Sequence, residues 1–455
     1  MAKNNYRSLS DGSVLGVLIR FSIPFLLSGF LQMAYSSVDV FFLGKFASAA
    51  AVSGVYQGLM INAVITGVAI GLASGGTILL GQYVGAKEDK NAAKALGNLI
   101  VIAVVAAAIT MGVLFAFGKG IINLMQVPVE AVGEAWDYLF VCTCGIFCVL
   151  GYNVVSSVLR SLGDSKAPFI FVLISCIANI ILDYVFVGIY HMSAKGAALA
   201  TVMAQGLSFV LALIYLKRKG LPFEFHVSDM VPKKNTILAV MKLGVPITLQ
   251  SLLNNFSFMI SSAIINTMGV YVSAAVSIVG TITGLSMVIP LSLSSSISAI
   301  TAQNIGAKKP ERAVKTLKYG ILISLVFAIP FIILVAIWPE ALVKILNNDP
   351  NVIVESVRYL YPFSWDCLFV CFVFCFNGFF NGCGKTMFAM LQEGLSAFLV
   401  RIPATYLFKV LIENATIFHV GLATPLASFA SAVACLIYFR ACFTKEKLER
   451  LQPIG

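Results

Sequence analysis

Charge is what this chain has least of. Only 11% of its 455 residues are Asp, Glu, Lys or Arg, where a soluble domain carries roughly 25%. With 59% of residues hydrophobic, a water-soluble fold would lack the polar exterior needed to cover its apolar surface. Histidine is scarcer still. His191, His226 and His419 are the only three, and each falls in a connection or at the end of an apolar run. That leaves no histidine constellation for intramembrane catalysis, so no enzyme is expected. The ten cysteines lie mostly within apolar runs. "VCTCGIFC" has no histidine or carboxylate beside it, so these thiols read as small buried hydrophobes and not as metal ligands. A phosphate loop is missing too: "GCGKT" (residues 382–386) would need a glycine where Phe379 stands, and no strand precedes it. The opening "MAKNNYRSLSDGSV" is polar and is followed by no small-residue cleavage site, so no removable signal peptide is expected.

What is abundant is apolar length. A membrane span needs about 20 predominantly apolar residues. Twelve such segments can be read, at 14–43, 51–80, 95–117, 133–157, 167–189, 196–216, 238–266, 271–299, 317–338, 355–379, 387–411 and 419–439. The expected fold is therefore an all-α polytopic membrane protein. Its net charge of +11 is not a nucleic-acid footprint, because the lysines and arginines collect in alternate connections. Lys87, Lys90, Lys94, Arg160, Lys166, Lys217 to Lys219, Lys308, Lys309 and Arg312 stand on one side with both termini. Lys45, Lys119, Lys195 and Lys344 are the clearest on the other. The positive-inside rule then predicts two cytoplasmic termini and an even number of spans in the cell's inner (plasma) membrane.

The chain repeats itself. "LIRFSIPFLLSGFLQ" from Leu18 parallels "VMKLGVPITLQSLLN" from Val240, aligning Pro24 with Pro246. Gln82, Gly85, Ala86 and Lys87 parallel Gln303, Gly306, Ala307 and Lys308, and Gly163 parallels Gly384. Six spans return the chain to its starting side, so two copies in one orientation are related by an axis along the membrane normal. The expected organisation is a first lobe over 1–215, a cytoplasmic linker over 216–236, a second lobe over 237–440 and a cytoplasmic tail over 441–455. The Gln-x-x-Gly-Ala-Lys loops read as structural hinges or gates, since small residues at helix ends are common caps.

Four acidic residues lie well inside spans: Asp39, Asp183, Asp366 and Glu393. A charge at the bilayer centre costs about 2.5–3.5 kcal/mol on insertion scales. Glu393 has Arg401 two turns later as a candidate partner, and Asp366 sits beside Trp365; both are possible second acidic sites. Asp39 and Asp183 have polar company. Gln32, Tyr35 or Ser36, and Asp39 fall at helical spacings in span one. Asn179 and Asp183 are spaced i, i+4 in span five, Asn153 lies in span four and Thr201 in span six. The second repeat lacks these carboxylates: an offset of 221 sets Ala404 opposite Asp183, and Ile260 or Ser261 opposite Asp39. Carboxylate, amide and hydroxyl oxygens suit a hard cation, so Na+ at Asp39, Asn179 and Asp183 is one reading and a proton is the other. No resident cofactor is expected, only H+ or Na+ as the coupling ion.

Twelve spans in two repeats, the Gln-x-x-Gly-Ala-Lys loops, "LRSLGDSKAP" and "NIILDY" together resemble the multidrug and toxic compound extrusion (MATE) family over about residues 10–445. The chain is similar to the branch whose cation site lies in the N-terminal lobe, on positions matched here by Asp39, Asn153, Asn179, Asp183 and Thr201. The resemblance implies polar neighbours at Gln32 and Tyr35, a helix bend at Pro24, and a V-shaped pair of six-helix lobes. It also implies secondary active multidrug efflux by H+ or Na+/drug antiport with alternating access. Small cationic amphipathic substrates, contact with membrane lipid and a monomer are the expected partners and state. A lipid-linked oligosaccharide flippase of the same superfamily is the alternative. It would place cationic residues in the cavity, where only Arg20 and Arg401 approach span interiors.

Overall fold

The computed structural model describes residues 6–444; the side chains at 35–37, 40 and 49 lie outside the described set. Among the described residues the structure is helical and has no strand. The helices are α1 (Val14–Phe46), α2 (Ala49–Ala86), α3 (Asp89–Leu124), α4 (Val129–Cys144), α5 (Ile146–Ser161), α6 (Lys166–Asp183), α7 (Ser193–Lys219) and α8 (Lys234–Asn266). They continue with α9 (Val270–Gly306), α10 (Pro310–Ile337), α11 (Pro339–Lys344), α12 (Pro350–Gly382), α13 (Thr386–Leu395), α14 (Ile402–Leu411), α15 (Ile417–Gly421) and α16 (Ala423–Cys442). Wide π turns extend α6 through Tyr184–Ile189 and join α13 to α14 through Ser396–Arg401.

Eleven of the helical stretches are long and apolar enough to cross a bilayer, and the pair α4–α5 makes a twelfth. The fourth span, read as one segment over 133–157, is two helices bent by 50° at Gly145. A methyl group there would sit 2.6 Å from Val202 on α7, so the bend depends on a residue without a side chain. Large apolar side chains stand exposed along the spans, Ile109 and Phe117 on α3 and Val326 and Ile333 on α10 among them. In a chain of this composition they form the lipid-facing surface.

The helices fall into two compact units. One is built on Ile23–Thr248 and the other on Ser10–Ser22 together with the chain from Leu249 onward. These divisions cut α1 and α8 within two residues of Pro24 and Pro246, the two prolines that interrupt those helices. Proline removes one i→i−4 bond and crowds the preceding turn, so each helix changes unit where its ladder is weakest. In the first unit, glycines of α2 bring its backbone close against the opening half of α8. A Cβ on Gly75 would lie 2.6 Å from the Gly244 nitrogen, and one on Gly71 would lie 2.8 Å from the Thr248 Cα. Small residues permit this approach between membrane helices. In the second unit, Gly378 and Gly382 of α12 lie in the same way against Ser294 O and Ser298 O of α9.

The repeated Gln-x-x-Gly-Ala-Lys motif ends helices. Lys87 (φ 60°) closes α2, and Lys308 (φ 56°) follows α9, both in the left-handed region that terminates a helix.

The first unit is also tied at its polar end. Asp164, between α5 and α6, accepts from Lys219 Nζ at 2.5 Å, Tyr215 Oη at 2.7 Å and the Ala167 amide at 3.1 Å. Tyr6 donates to Gly220 O at 2.8 Å, and Lys219 stands 4.3 Å from its ring centroid. Burial alone raises the Asp164 pKa, but the hydrogen bonds from Lys219, Ala167 and Tyr215 outweigh it and hold the carboxyl below its ordinary value. A depressed pKa stabilises the fold above the unfolded value, near 3.9, and that support is lost as pH falls through the lower folded one. Asp164→Asn is expected to lower stability by about 1–3 kcal/mol at pH 7 and to flatten the acid limb. A pH series of thermal melts in detergent checks both.

Candidate functional site

Asp39 lies near the end of α1, Asn179 and Asp183 on the last turn of α6, and Thr201 on α7. All four side chains are buried: Asp39 is 1% exposed, Asn179 and Asp183 0%, and Thr201 6%. The sequence spacing puts Asn179 and Asp183 on one helix face, and that face meets α1 and α7. Thr201 Oγ1 donates to Asp39 Oδ2 at 3.5 Å, and Asp183 and Asn179 are the other side chains that act on the Asp39 carboxylate. Among the described residues, Asp39 Oδ1, both Asp183 oxygens, and Asn179 Oδ1 and Nδ2 have no partner.

A buried polar atom without a partner costs about 1–3 kcal/mol, so five in one pocket are not structural glue. The π turn begins at the residue after Asp183. Such turns occur mostly as isolated insertions, often at functional positions. The same helices carry a buried apolar cluster that includes Leu43, Val55, Tyr138, Cys142 and Val187, and Cys142 is close enough to feel the Asp39 charge. Two carboxylates in such surroundings cannot both stay charged without a cation. The donor set is all oxygen apart from one amide nitrogen, as a proton or a hard cation requires.

The other residues named from sequence are placed differently. Asn153 is half-buried and donates to Val149 O one turn back on α5, at 2.8 Å. Ser175 donates to Ala204 O and ties α6 to α7. Gln32 stands exposed on α1. The Tyr35 side chain lies outside the described residues. Pro24 lies within α1, and its carbonyl accepts from Ser28 Oγ at 2.8 Å.

In the second unit Asp366 is buried (2% exposed) and Glu393 is half-buried. Glu393 does not pair with Arg401. Its Oε2 accepts from Gln250 Nε2 at 2.5 Å and Asn377 Nδ2 at 3.0 Å, while Arg401 donates to Asn254 Oδ1 at 2.9 Å. Eight residues of helix separate the two by about 12 Å along the axis, and amides on neighbouring helices reach them first. Gln392 extends this network, donating to Asn377 Oδ1 at 2.9 Å and accepting from Ser431. Sequence reasoning did not find these amides, because Gln and Asn in a span carry no charge to betray them. A separate apolar cavity of about 100 Å³ lies between α9, α10 and α12, lined by Pro290, Phe327, Phe331 and Cys367. Pockets for drug-sized molecules run to roughly 300–1,000 Å³, so it is too small for one.

The MatE family model matches residues 24–185 and 246–407, two copies displaced by 222 positions. The chain is 25% identical over 436 residues to "Probable multidrug resistance protein YpnP" of Bacillus subtilis, covering 95% of this chain and 96% of that one. It is 24% identical over 447 residues to "Probable multidrug resistance protein NorM" of Thermotoga maritima, covering 95% of each. A crystal structure described as a MATE protein in complex with MaL6 superposes with a TM-score of 0.90 at 17% identity, over 97% of this chain and 98% of that one.

Proposed function

Since the chain belongs to the MatE family, a family of membrane transporters and not of enzymes, we propose that it exports small cationic amphipathic drugs in exchange for H+ or Na+. The observation that carries this reading is the buried Asp39–Asn179–Asp183 cluster, with five polar atoms that have no partner among the described residues. Carboxylate and amide oxygens gathered in this way have the chemistry of a cation site, and a drug exporter of this build needs an ion to drive it.

In the proposed cycle the pocket takes a cation from the outer side. Asp39 and Asp183 share its charge, Asn179 turns its carbonyl oxygen to it, and Thr201 steadies Asp39. Neutralising the pair removes the penalty of two buried charges and favours the packing of α1 that goes with the loaded state, the adjustment falling at Pro24. A cation moves the equilibrium only by its difference in affinity between the two states, and a buried pair with no ion-pair partner among the described residues makes that difference large. The positively charged substrate leaves as the cation enters. This reading sets both termini on the cytoplasmic side of the inner membrane, which the lysine-rich connections support, and takes the protein to work as a monomer.

The test is transport in proteoliposomes loaded with a fluorescent cationic dye. A Na+ gradient and a pH gradient are imposed separately. One of them should accelerate dye export well above the leak. Export that proceeds at the same rate with either gradient or with none would overturn the antiport reading.

A further inference from the structure

The second unit contains a charge cluster for which the proposed cycle has no use. Arg401 closes the π turn Ser396–Arg401 and is 7% exposed. Its guanidinium donates to Asn254 Oδ1 and lies 4.1 Å from the Phe258 ring centroid. Asp366, Glu393 and Tyr359 are the ionisable groups that act on it, and among the described residues none makes an ion pair with it at 4 Å or less. Two atoms here are buried without a partner: Arg401 Nε and Asp366 Oδ1.

The repeat gives this cluster its meaning. At a displacement of 222, Ser261 stands where the first copy has Asp39, Thr405 where it has Asp183, and Arg401 where it has Asn179. The offset of 221 read around Asp183 was one residue short there. The first copy surrounds an amide with two carboxylates; the second surrounds a guanidinium with two hydroxyls. The Ser261 hydroxyl is buried and partnerless, and Thr405 donates to the Arg401 carbonyl at 2.7 Å.

We infer that Arg401 is a built-in cation: it supplies, on a covalent tether, the positive charge that the first unit takes from solution, and so keeps the Asp366–Glu393 cluster from binding a transported ion. A guanidinium stays protonated at every working pH, so this charge does not change during a transport cycle. Removing it leaves the Asp366 and Glu393 carboxylates and the freed Asn254 oxygen, an oxygen ligand set for Na+ or a proton. The inference concerns the second unit alone and holds whether or not the first unit's pair carries the coupling ion.

The experiment uses the full chain with Asp39→Asn and Asp183→Asn, which silences the first pocket. Melting temperature in detergent is read at pH 8 in 200 mM NaCl and in 200 mM choline chloride, and again at pH 6. With Arg401 intact, the melt should not respond to Na+. Adding Arg401→Asn, the residue of the first repeat, should create a rise of roughly 3 °C with Na+ or on acidification. Arg401→Lys should create none, and Asp366→Asn on top of Arg401→Asn should abolish the gain. A folded Arg401→Asn chain that ignores both cations overturns the inference. So does a Na+ response from the parent with Arg401 intact, a result that can be read even if Arg401→Asn does not fold.

Discussion

Asp39→Asn and Asp183→Asn should each reduce gradient-driven dye export by at least about tenfold while leaving the protein folded. Asparagine keeps the size and polarity of the side chain and removes the charge that makes the pocket selective for a cation. One lost carboxylate lowers the differential affinity on which the population shift depends, and roughly 1.4 kcal/mol of that difference is a factor of ten. Neither variant should lose thermal stability, because the native pocket leaves five buried atoms unsatisfied and a neutral amide is easier to bury than a carboxylate. Initial efflux rate under the effective gradient and melting temperature in detergent are the two readouts. Variants that export at the unmutated rate would remove the pair from the coupling mechanism. Asn153→Ala is the useful contrast: its amide is already bonded to Val149 O, so its loss should cost export less than either aspartate change.

The second large effect should come from Gly75. Its Cβ would meet the Gly244 nitrogen at 2.6 Å, the Gly244 Cα at 2.7 Å and Val240 O at 2.9 Å. All three are backbone atoms and cannot move aside as a side chain tip would. Overpacking typically costs about 1–3 kcal/mol; Gly75→Ala should fall at the upper end of that range and Gly75→Val beyond it. A Cβ on Gly112 of α3 would meet nothing within 4 Å, so Gly112→Ala should be neutral or stabilising by up to about 1 kcal/mol through helix propensity. Monodisperse yield on size exclusion and melting temperature separate the two cases. A Gly75→Val chain that melts with the unmutated protein would mean that α2 and α8 are not in backbone contact.

These examples also show what a sequence can display. The spans were legible because a bilayer demands about 20 apolar residues in a row, a signal that needs no knowledge of partners. Asp39 and Asp183 were legible for the complementary reason, since a carboxylate in such a run is rare. The break at Gly145 was not, because it depends on Val202 of a helix two connections away. Glu393 and Arg401 invited pairing by charge, yet Gln250, Asn377 and Asn254 took their hydrogen bonds. Which neutral amide reaches a buried charge first is decided by packing between helices. Asn153 was named for its chemistry, and its rotamer then satisfied its own helix.

The prolines at 24 and 246 have a consequence for how the molecule can be made. Because the first unit includes the opening of α8 and the second includes the opening of α1, neither is encoded by an unbroken stretch of the gene. A ribosome that has finished the first six spans has not yet delivered all of the first unit. It becomes complete only when residues through Thr248 have been synthesised, after the linker and into the opening of the second copy. Residues 10–22 wait for most of translation before the helices they pack with exist. The two copies are thus committed to mature together, and a gene divided neatly between its repeats would produce two six-span fragments, each holding a part that the other requires.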